Sequence, residues 1–353
     1  MKLLVVTQKV DREDSVLGFF HAWLVRFAKH FEVLTVVCLE EGDHDLPRNV
    51  HVRSLGKEKG LPRIKILKNF WKILFEEKDN YDTVLVHMNP IYVVLAGMYW
   101  KFLVKKDIYL WYTHKSVDWK LRIAEKFVKK IFTASRESFR LQSKKVLVMN
   151  HGIDINVFIP GHIKEEVDNL SLLTVGRVSK AKGLDVCVEA LSLLEKKVPQ
   201  VIYCIVGGPL TDKDIFFEKR LKDLIEDRGL REKVVFVGPI SNKQSVDFFQ
   251  RADFFVHASD TGSLDKVVLE AMSCGAIVIS SNDAAVSILS KNNPNLIFKK
   301  NDPKDLAEKI QYFLGKGEEL EVLRGALREE VVQNHNIDNL IQRVSGVILK
   351  KYE

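Results

Sequence analysis

The stretch TGSLDKVVLEAMSCGAIVI, Thr261 to Ile279, reads as a loop, a short helix and a buried strand in succession. That unit, repeated, builds a parallel sheet covered by helices. Ser263 is expected to cap the helix, and Asp265 falls in its first turn, where negative charge suits the macrodipole. Glu270 stands inside the apolar run VVLEAM. An ionised Glu among apolar neighbours needs a partner or a ligand hydroxyl, unless it lies on the helix's solvent side.

The same alternation runs outward in both directions. In the first half, LLVVTQ (3–8), VLTVVCL (33–39), TVLVHM (83–88), DIYLWYTH (107–114) and KIFTAS (130–135) read as strands, with FFHAWLVRFAKHF (19–31) a helix after the first. In the second half the strands are LSLLTVG (170–176), VIYCIVGG (201–208), KVVFVG (233–238), DFFVHAS (253–259), AIVISS (276–281) and NLIF (295–298). Two such series predict an α/β chain of two doubly wound, Rossmann-like domains. The boundary is placed in GIDINVFIPGHIKEEVDN (152–169), giving domains 1–160 and 161–335. Ligands of such sheets bind beyond the carboxyl ends of the strands, so the loops that follow strands carry function. A central cleft between the domains is the expected site.

Composition excludes several classes. The 353 residues are 46% hydrophobic and 29% charged, as in ordinary globular proteins. The opening apolar run is too short for a signal peptide, and no run approaches the ~18 residues of a membrane span. Four cysteines form no CxxC pair and read as buried thiols of a reducing cytoplasm. Residues 1–150 hold 27 Lys+Arg against 17 Asp+Glu, whereas 151–353 hold 27 against 30. The basic half suggests an anionic partner. Without a zinc-finger or RNP-type signature, nucleic acid is not expected, and an anionic membrane surface is the candidate. GLPRIKILKNFWKILF (60–75) fits that reading as an amphipathic helix, with Ile64, Leu67, Phe70, Trp71 and Leu74 on one face and Lys65, Lys68 and Lys72 near the other. It also fits an ordinary helix covering the first sheet, which is the commoner case.

VGRVSKAKGLD (175–185) follows a strand and opens a helix with a buried face of Leu184, Cys187, Val188, Leu191 and Leu194. Arg177 and Lys182 beside a helix N-terminus suit a phosphate, although, taken alone, a solvated basic loop with no ligand is the commoner explanation of such residues. It is not a Walker loop. His87 and His114 stand at strand ends in the first half, and Lys115 follows His114.

VGRVSKAKG, then VFVG, then HASDTGSLDKVVLEAMSCGAIVIS, in that order and spacing, resemble the nucleotide-sugar domain of retaining glycosyltransferases of family 4, the glycosyl transferases group 1, with the GT-B fold. NHGIDINVF (150–158) is similar to that family's linker. The resemblance is strong over the second half and rests in the first on strand order, GFFHAW and YTHK. It implies that Arg177 and Lys182 bind the donor's diphosphate and that Glu270 contacts the ribose. It places the loop of Gly262, Ser263, Leu264, Asp265, Lys266, Val267 and Val268 at the sugar and phosphates, and Pro239 and Ile240 at the base. His114 would face the reacting centre, and Gly18 matches one glycine of the family's first loop. A C-terminal helix, about 336–353, would pack back on the first domain, and hinge motion would close the cleft over donor.

One departure stands out. The family has a second acid eight positions before the Glu of LEAM, and here that position is Gly262; the EGFG tetrad reads GSLD. The resemblance implies transfer of a sugar, with retained configuration, from a nucleoside-diphosphate sugar to a glycan, lipid-linked or other hydroxyl acceptor in envelope or polysaccharide assembly. The enzyme would be cytoplasmic or peripheral on the inner membrane face. Arg177 and Lys182 would stabilise the leaving diphosphate, and Asp265 or Asp260 would take over part of the missing acid's role. No cofactor and no metal are expected, and Asp43-His44-Asp45 and Asp212-Lys213-Asp214 are read as surface acids away from the diphosphate. A nucleotide-sugar epimerase fits the motifs poorly. A donor-binding subunit that has lost activity is the alternative, favoured by Gly262.

Overall fold

The computed structural model describes residues 1–14, 16–161, 170–260 and 262–350. Residues 162–169 of the expected linker and Thr261 of the opening loop lie outside them. The chain forms two units, 1–152 with 337–353, and 153–336.

In the first unit β1 (Lys2–Val10), α1 (Phe19–Phe27), β2 (Val33–Glu41), β3 (Val50–Ser54), α2 (Arg63–Glu76), β4 (Thr83–His87), α3 (Pro90–Met98), β5 (Asp107–Trp111), α4 (Trp119–Phe127), β6 (Lys130–Thr133) and β7 (Val146–Val148) follow one another. All strands are parallel, in the order β3-β2-β1-β4-β5-β6-β7. Two of them, β3 and β7, escape the sequence pattern. Both are short, largely half-exposed edge strands: β3, VHVRS, mixes apolar and polar residues, and the apolar run of β7, VLV, is only three residues long.

In the second unit β8 (Ser171–Val175), α5 (Leu184–Leu194), β9 (Ile202–Val206), α6 (Asp212–Asp227), β10 (Val234–Gly238), α7 (Ser245–Arg251), β11 (Phe254–His257), α8 (Lys266–Ser273), β12 (Ile277–Ser280), α9 (Asp283–Asn292), α10 (Pro303–Phe313) and α11 (Gly317–Asn334) form a parallel sheet in the order β10-β9-β8-β11-β12 with helices. α12 (Ile337–Ile348) then returns to the first unit, where Ile337, Leu340, Ile341, Val344 and Ile348 join the core under α1. The expected face of α5 is buried in full, each side chain contributing ~1.5–3 kcal/mol.

Three expectations need correction. Residues 153–160 were assigned to the first domain, but Ile153 and Phe158 pack in the second core. NLIF is not a strand: Asn293 caps a 3₁₀ turn at Pro294–Leu296, leaving Ile297 a single bridge to Ser280. The apolar face of α2 is split. Phe70 and Leu74 are buried, while Ile64 and Leu67 are 71% and 41% exposed.

Candidate functional site

The winding of the second sheet reverses between β8 and β11. The carboxyl ends of parallel strands at such a reversal splay their loops apart and leave a crevice. The loop after β8 carries Arg177 and Lys182, and the loop after β11 leads to α8. The two are tied together, since Asp260 N–H donates to the Ala181 carbonyl at 3.0 Å. Below them the Thr174 hydroxyl donates to the Val256 carbonyl at 2.8 Å.

Lys182 lies on a 3₁₀ turn, with its side chain 16% exposed and Nζ 2.5 Å from Asp265 Oδ2. Arg177 is more open, with Nε 4.0 Å from Asp214 Oδ2. Asp214 therefore corrects the reading of Asp212-Lys213-Asp214 as a string remote from the diphosphate residues. It starts α6, exchanges capping hydrogen bonds with Thr211, and reaches Arg177. Burial pushes the Asp214 carboxyl up, but the Thr211 bond and the Arg177 charge outweigh it and hold the carboxyl low.

The start of α8 differs from its sequence reading. Asp265, not Ser263, occupies the N-cap position, in extended backbone, and its side chain caps nothing. The carboxylate is drawn away from the helix to Lys182 and to His257, whose Nε2 lies 2.9 Å from the same oxygen. A carboxylate only accepts, so Nε2 carries the hydrogen. The ring's Nδ1 sits 3.0 Å from Ser280 Oγ, and His257 and Ser280 pair side by side at the ends of β11 and β12. Burial pushes the His257 imidazole down, the Asp265 hydrogen bond opposes it, and Lys182 adds to the fall. Burial also raises the Asp265 carboxyl, but the His257 bond and the Lys182 charge hold it well below the usual carboxylate range.

Glu270 is 4% exposed. Asn242 Nδ2 donates to its Oε1 at 3.3 Å, and the charge of Lys266, one turn earlier on α8, acts on it. The Lys266 stem is half-exposed while its ammonium is buried; burial pulls it down to about 7, with Glu270 opposing the fall. Burial raises the Glu270 carboxyl against Lys266 and Asn242. The second alternative for Glu270, a solvent-side position, is therefore excluded.

Gly262 is buried, at φ 64° in the left-handed region. The missing acid is thus accompanied by a backbone conformation that suits glycine and strains Glu. Ser263 is half-buried, while Leu264 and Val268 pack in the core and Val267 against it. Pro239 is exposed just past β10, and Ile240 packs against the core. Asn242, two residues on, was not singled out by sequence, nor was His257, which looked like one more residue of a strand end.

His114 and Gly18 belong to the first unit. His114 is exposed after β5, in edge contact with Tyr112 at 5.8 Å. Gly18 opens α1, where a Cβ would come 2.5 Å from the Asp14 carbonyl oxygen, so local packing already demands glycine. His87 is buried, stacked on Phe20 at 4.0 Å with Nδ1 3.1 Å from the Thr7 hydroxyl. Among the described residues no cluster of three or more His, Cys, Asp or Glu is placed to hold a metal ion, and no helix is long and apolar enough to cross a membrane.

Comparison with known proteins agrees with this architecture. Residues 157–330 match the family model of glycosyl transferases group 1. D-inositol 3-phosphate glycosyltransferase of Acidothermus cellulolyticus is 26% identical over 239 residues, which cover 64% of this chain and 53% of that protein. The chain spans about half the length of the curated relatives it matches. Among solved structures, HepE of Anabaena in complex with UDP superposes with a TM-score of 0.78 at 18% identity, covering 99% of this chain and 100% of that one. Sucrose-phosphate synthase of Thermosynechococcus elongatus gives 0.76 at 16% identity, covering 100% and 99%. The chain thus carries, in residues 157–330, a domain of the glycosyl transferases group 1 family, on the fold of GT-B glycosyltransferases.

Proposed function

We propose that this protein is a glycosyltransferase that moves a sugar from a nucleoside-diphosphate sugar to a hydroxyl of a glycan or lipid-linked acceptor, with retained configuration and without a metal. The observation that carries the proposal is the placement of Arg177 and Lys182 beyond β8 at the winding reversal, with Glu270 on the helix that leaves the neighbouring loop. Two cations there would stabilise the negative charge that develops on the departing diphosphate, and His114 would face the reacting centre. The leaving phosphate takes the acceptor's proton, so no protein nucleophile is needed. The carboxylate of Asp265 is committed to Lys182 and His257, which leaves Asp260, exposed on the same loop, to meet sugar hydroxyls in place of the acid missing at Gly262. UDP-sugars are the first donors to test, because HepE was crystallised with UDP.

The membrane reading rests on the first unit. Its helices α2 and α3 expose Ile64, Leu67, Leu95 and Met98 beside exposed Arg63, Lys65 and Lys68. A 420 Å³ cavity lies among them, lined by Leu39, Leu55, Leu61 and Ile66 with Lys57 and Arg63. Apolar surface ringed by cations suits the cytoplasmic face of an anionic bilayer.

The test is release of nucleoside diphosphate from a panel of donors with glycan and lipid-linked acceptors, in EDTA, with the product's anomeric configuration read by NMR. Arg177→Ala is expected to lower kcat by ~10²-fold, as loss of one charge-stabilising donor does. Wild-type activity in that variant would sink the assignment. Donor binding with no turnover for any acceptor would favour the second reading, a donor-binding subunit, for which Gly262 speaks.

A further inference from the structure

Both cations assigned to the diphosphate already face an acid of the same unit. Lys182 Nζ lies 2.5 Å from Asp265 Oδ2, and Arg177 Nε lies 4.0 Å from Asp214 Oδ2. Each pair sums to zero charge. The two pairs differ in how their acid is held. Asp214 is occupied mainly by its own capping bonds with Thr211, and its Arg177 partner is loose. Asp265 is fixed from behind by His257, whose ring is buried at the end of β11 and held by Ser280 of the neighbouring β12.

The geometry of Asp265 is unexpected for its place in the chain. It stands at the N-cap of α8, where its carboxylate has helix N–H groups within reach of an ordinary cap. It makes no such bond and turns instead to Lys182 and His257. The anchored partner is thus the acid, and the adaptable one is the lysine, with its four-carbon stem. The ammonium has three donors, but its charge is already neutralised by the carboxylate, and moving fully onto a phosphate gives up a short, charge-assisted hydrogen bond.

We propose that Asp265, held by His257, is a built-in competitor for Lys182: the ammonium rests on the carboxylate in the free protein and passes to phosphate when a diphosphate ligand binds. No covalent bond changes. Asp265 keeps its hydrogen bond from His257 Nε2 when Lys182 leaves. The exchange lowers the affinity for the donor and for the departing nucleoside diphosphate alike, so Asp265 sets the site toward release of product. The proposal rests on the reading of Lys182 as a phosphate ligand, which can be tested apart from it.

The experiment is calorimetric titration of inorganic pyrophosphate, a probe that needs neither base nor ribose, and of UDP. The proteins are the 353-residue chain and its variants Asp265→Asn, Asp265→Ser, Asp265→Glu, Lys182→Met and the double variant D265N/K182M, each checked by thermal melting. Asp265→Asn is expected to bind pyrophosphate ~10–100-fold more tightly than wild type, the scale of one charge-assisted hydrogen bond. Asp265→Ser should show the same direction, which guards against a peculiarity of one variant. Asp265→Glu keeps the charge and should stay within a few-fold of wild type. In the Lys182→Met background the gain should vanish, because the competition then has no object. Unchanged or weaker pyrophosphate binding in both neutral variants, with Lys182→Met still weaker than wild type, overturns the competitor role and leaves Lys182 a phosphate ligand. Equal pyrophosphate binding by wild type and Lys182→Met removes the phosphate reading itself, and the competitor role with it.

Discussion

Glu270→Gln separates two roles that one buried carboxylate can play. Glu270 is 4% exposed, receives Asn242 at 3.3 Å, and faces the Lys266 ammonium one turn earlier on α8. The amide keeps the shape and an acceptor for Asn242 but removes the charge opposite Lys266. Leaving one buried charge without the charge that opposes it costs up to about 3–5 kcal/mol. For a unit of some 180 residues that is a Tm lowered by roughly 6–20 °C, at ~2–4 °C per kcal/mol. Adding Lys266→Met replaces the orphaned ammonium with an apolar group of similar length and should recover most of that loss. Ligand binding answers the other half. If Glu270 accepts a ribose hydroxyl, the loss of a charged hydrogen bond, ~1.5–3 kcal/mol, weakens nucleoside-diphosphate binding ~10–150-fold. Pyrophosphate has no ribose and should bind both proteins alike. The assay is calorimetry with UDP and pyrophosphate on wild type, Glu270→Gln and the double variant, beside thermal melts. Unchanged UDP affinity in a folded Glu270→Gln protein would leave the residue a purely structural partner of Lys266. Equal losses for UDP and pyrophosphate would point to a distorted loop instead of a lost ribose contact.

Three further outcomes are expected. Asp265→Asn should lower stability at pH 7 by about 1.5–3 kcal/mol, the worth of a hydrogen bond to a charged group. Because the folded carboxyl is held low, this stabilisation is fully present above the unfolded value near ~3.9 and lost progressively as pH falls from there through the lowered folded value, so the wild-type and variant melts should draw together only in strong acid; a gap that does not narrow at all between pH ~4 and pH ~2 contradicts the pairing. Gly262→Glu, which restores the family's acid in sequence, should lower Tm through the ~1–2 kcal/mol strain of a side chain at φ 64° and leave donor kcat/KM unimproved; a tenfold gain in kcat/KM at wild-type Tm would refute that. The protein should float with phosphatidylcholine vesicles containing phosphatidylglycerol at low salt, and Ile64→Ser with Leu67→Ser should reduce it; no flotation at low salt rejects the membrane surface.

The central strands and the helix α5 were readable because their burial leaves an unbroken apolar run or a helical stripe. Edge strands β3 and β7 were not, since β3 breaks its apolar run with His51 and Arg53 and that of β7 is only three residues, and NLIF has the run but Pro294 starts a turn. The candidate site divided in the same way. Arg177, Lys182 and Glu270 were legible because each sits in a motif with a fixed place relative to a strand. Their partners were not. Asp265 meets Lys182 across 83 residues, and Asp214 meets Arg177 from the start of a helix after the next strand. Local rules put Asp265 at a helix start, correctly by position, and took Asp214 for a surface acid, but could not say where either carboxylate turns. His257 closes the network only because β11 and β12 are neighbours in the sheet, which a strand list does not specify.

The adjacent charges Asp265 and Lys266 can now be explained by their partners. Lys266 in the first turn of α8 opposes the helix dipole, and Asp265 at the N-cap forgoes its cap. Neither choice favours the helix. Each charge serves elsewhere, Asp265 in the ion pair with Lys182 and Lys266 in opposing the buried charge of Glu270, so that a single peptide bond joins the two interactions. A change at one pair that shifts this backbone must reach the other. Substitutions at Asp265 and Glu270 should therefore depart from additivity in both stability and diphosphate binding, by ~0.5 kcal/mol or more, whereas Asp214 with Glu270 should add. A double-mutant cycle on Asp265→Asn and Glu270→Gln, read by thermal melting and by pyrophosphate titration, decides it. Strict additivity in both readouts would mean that the two pairs are independent and that the charges stand side by side without coupling.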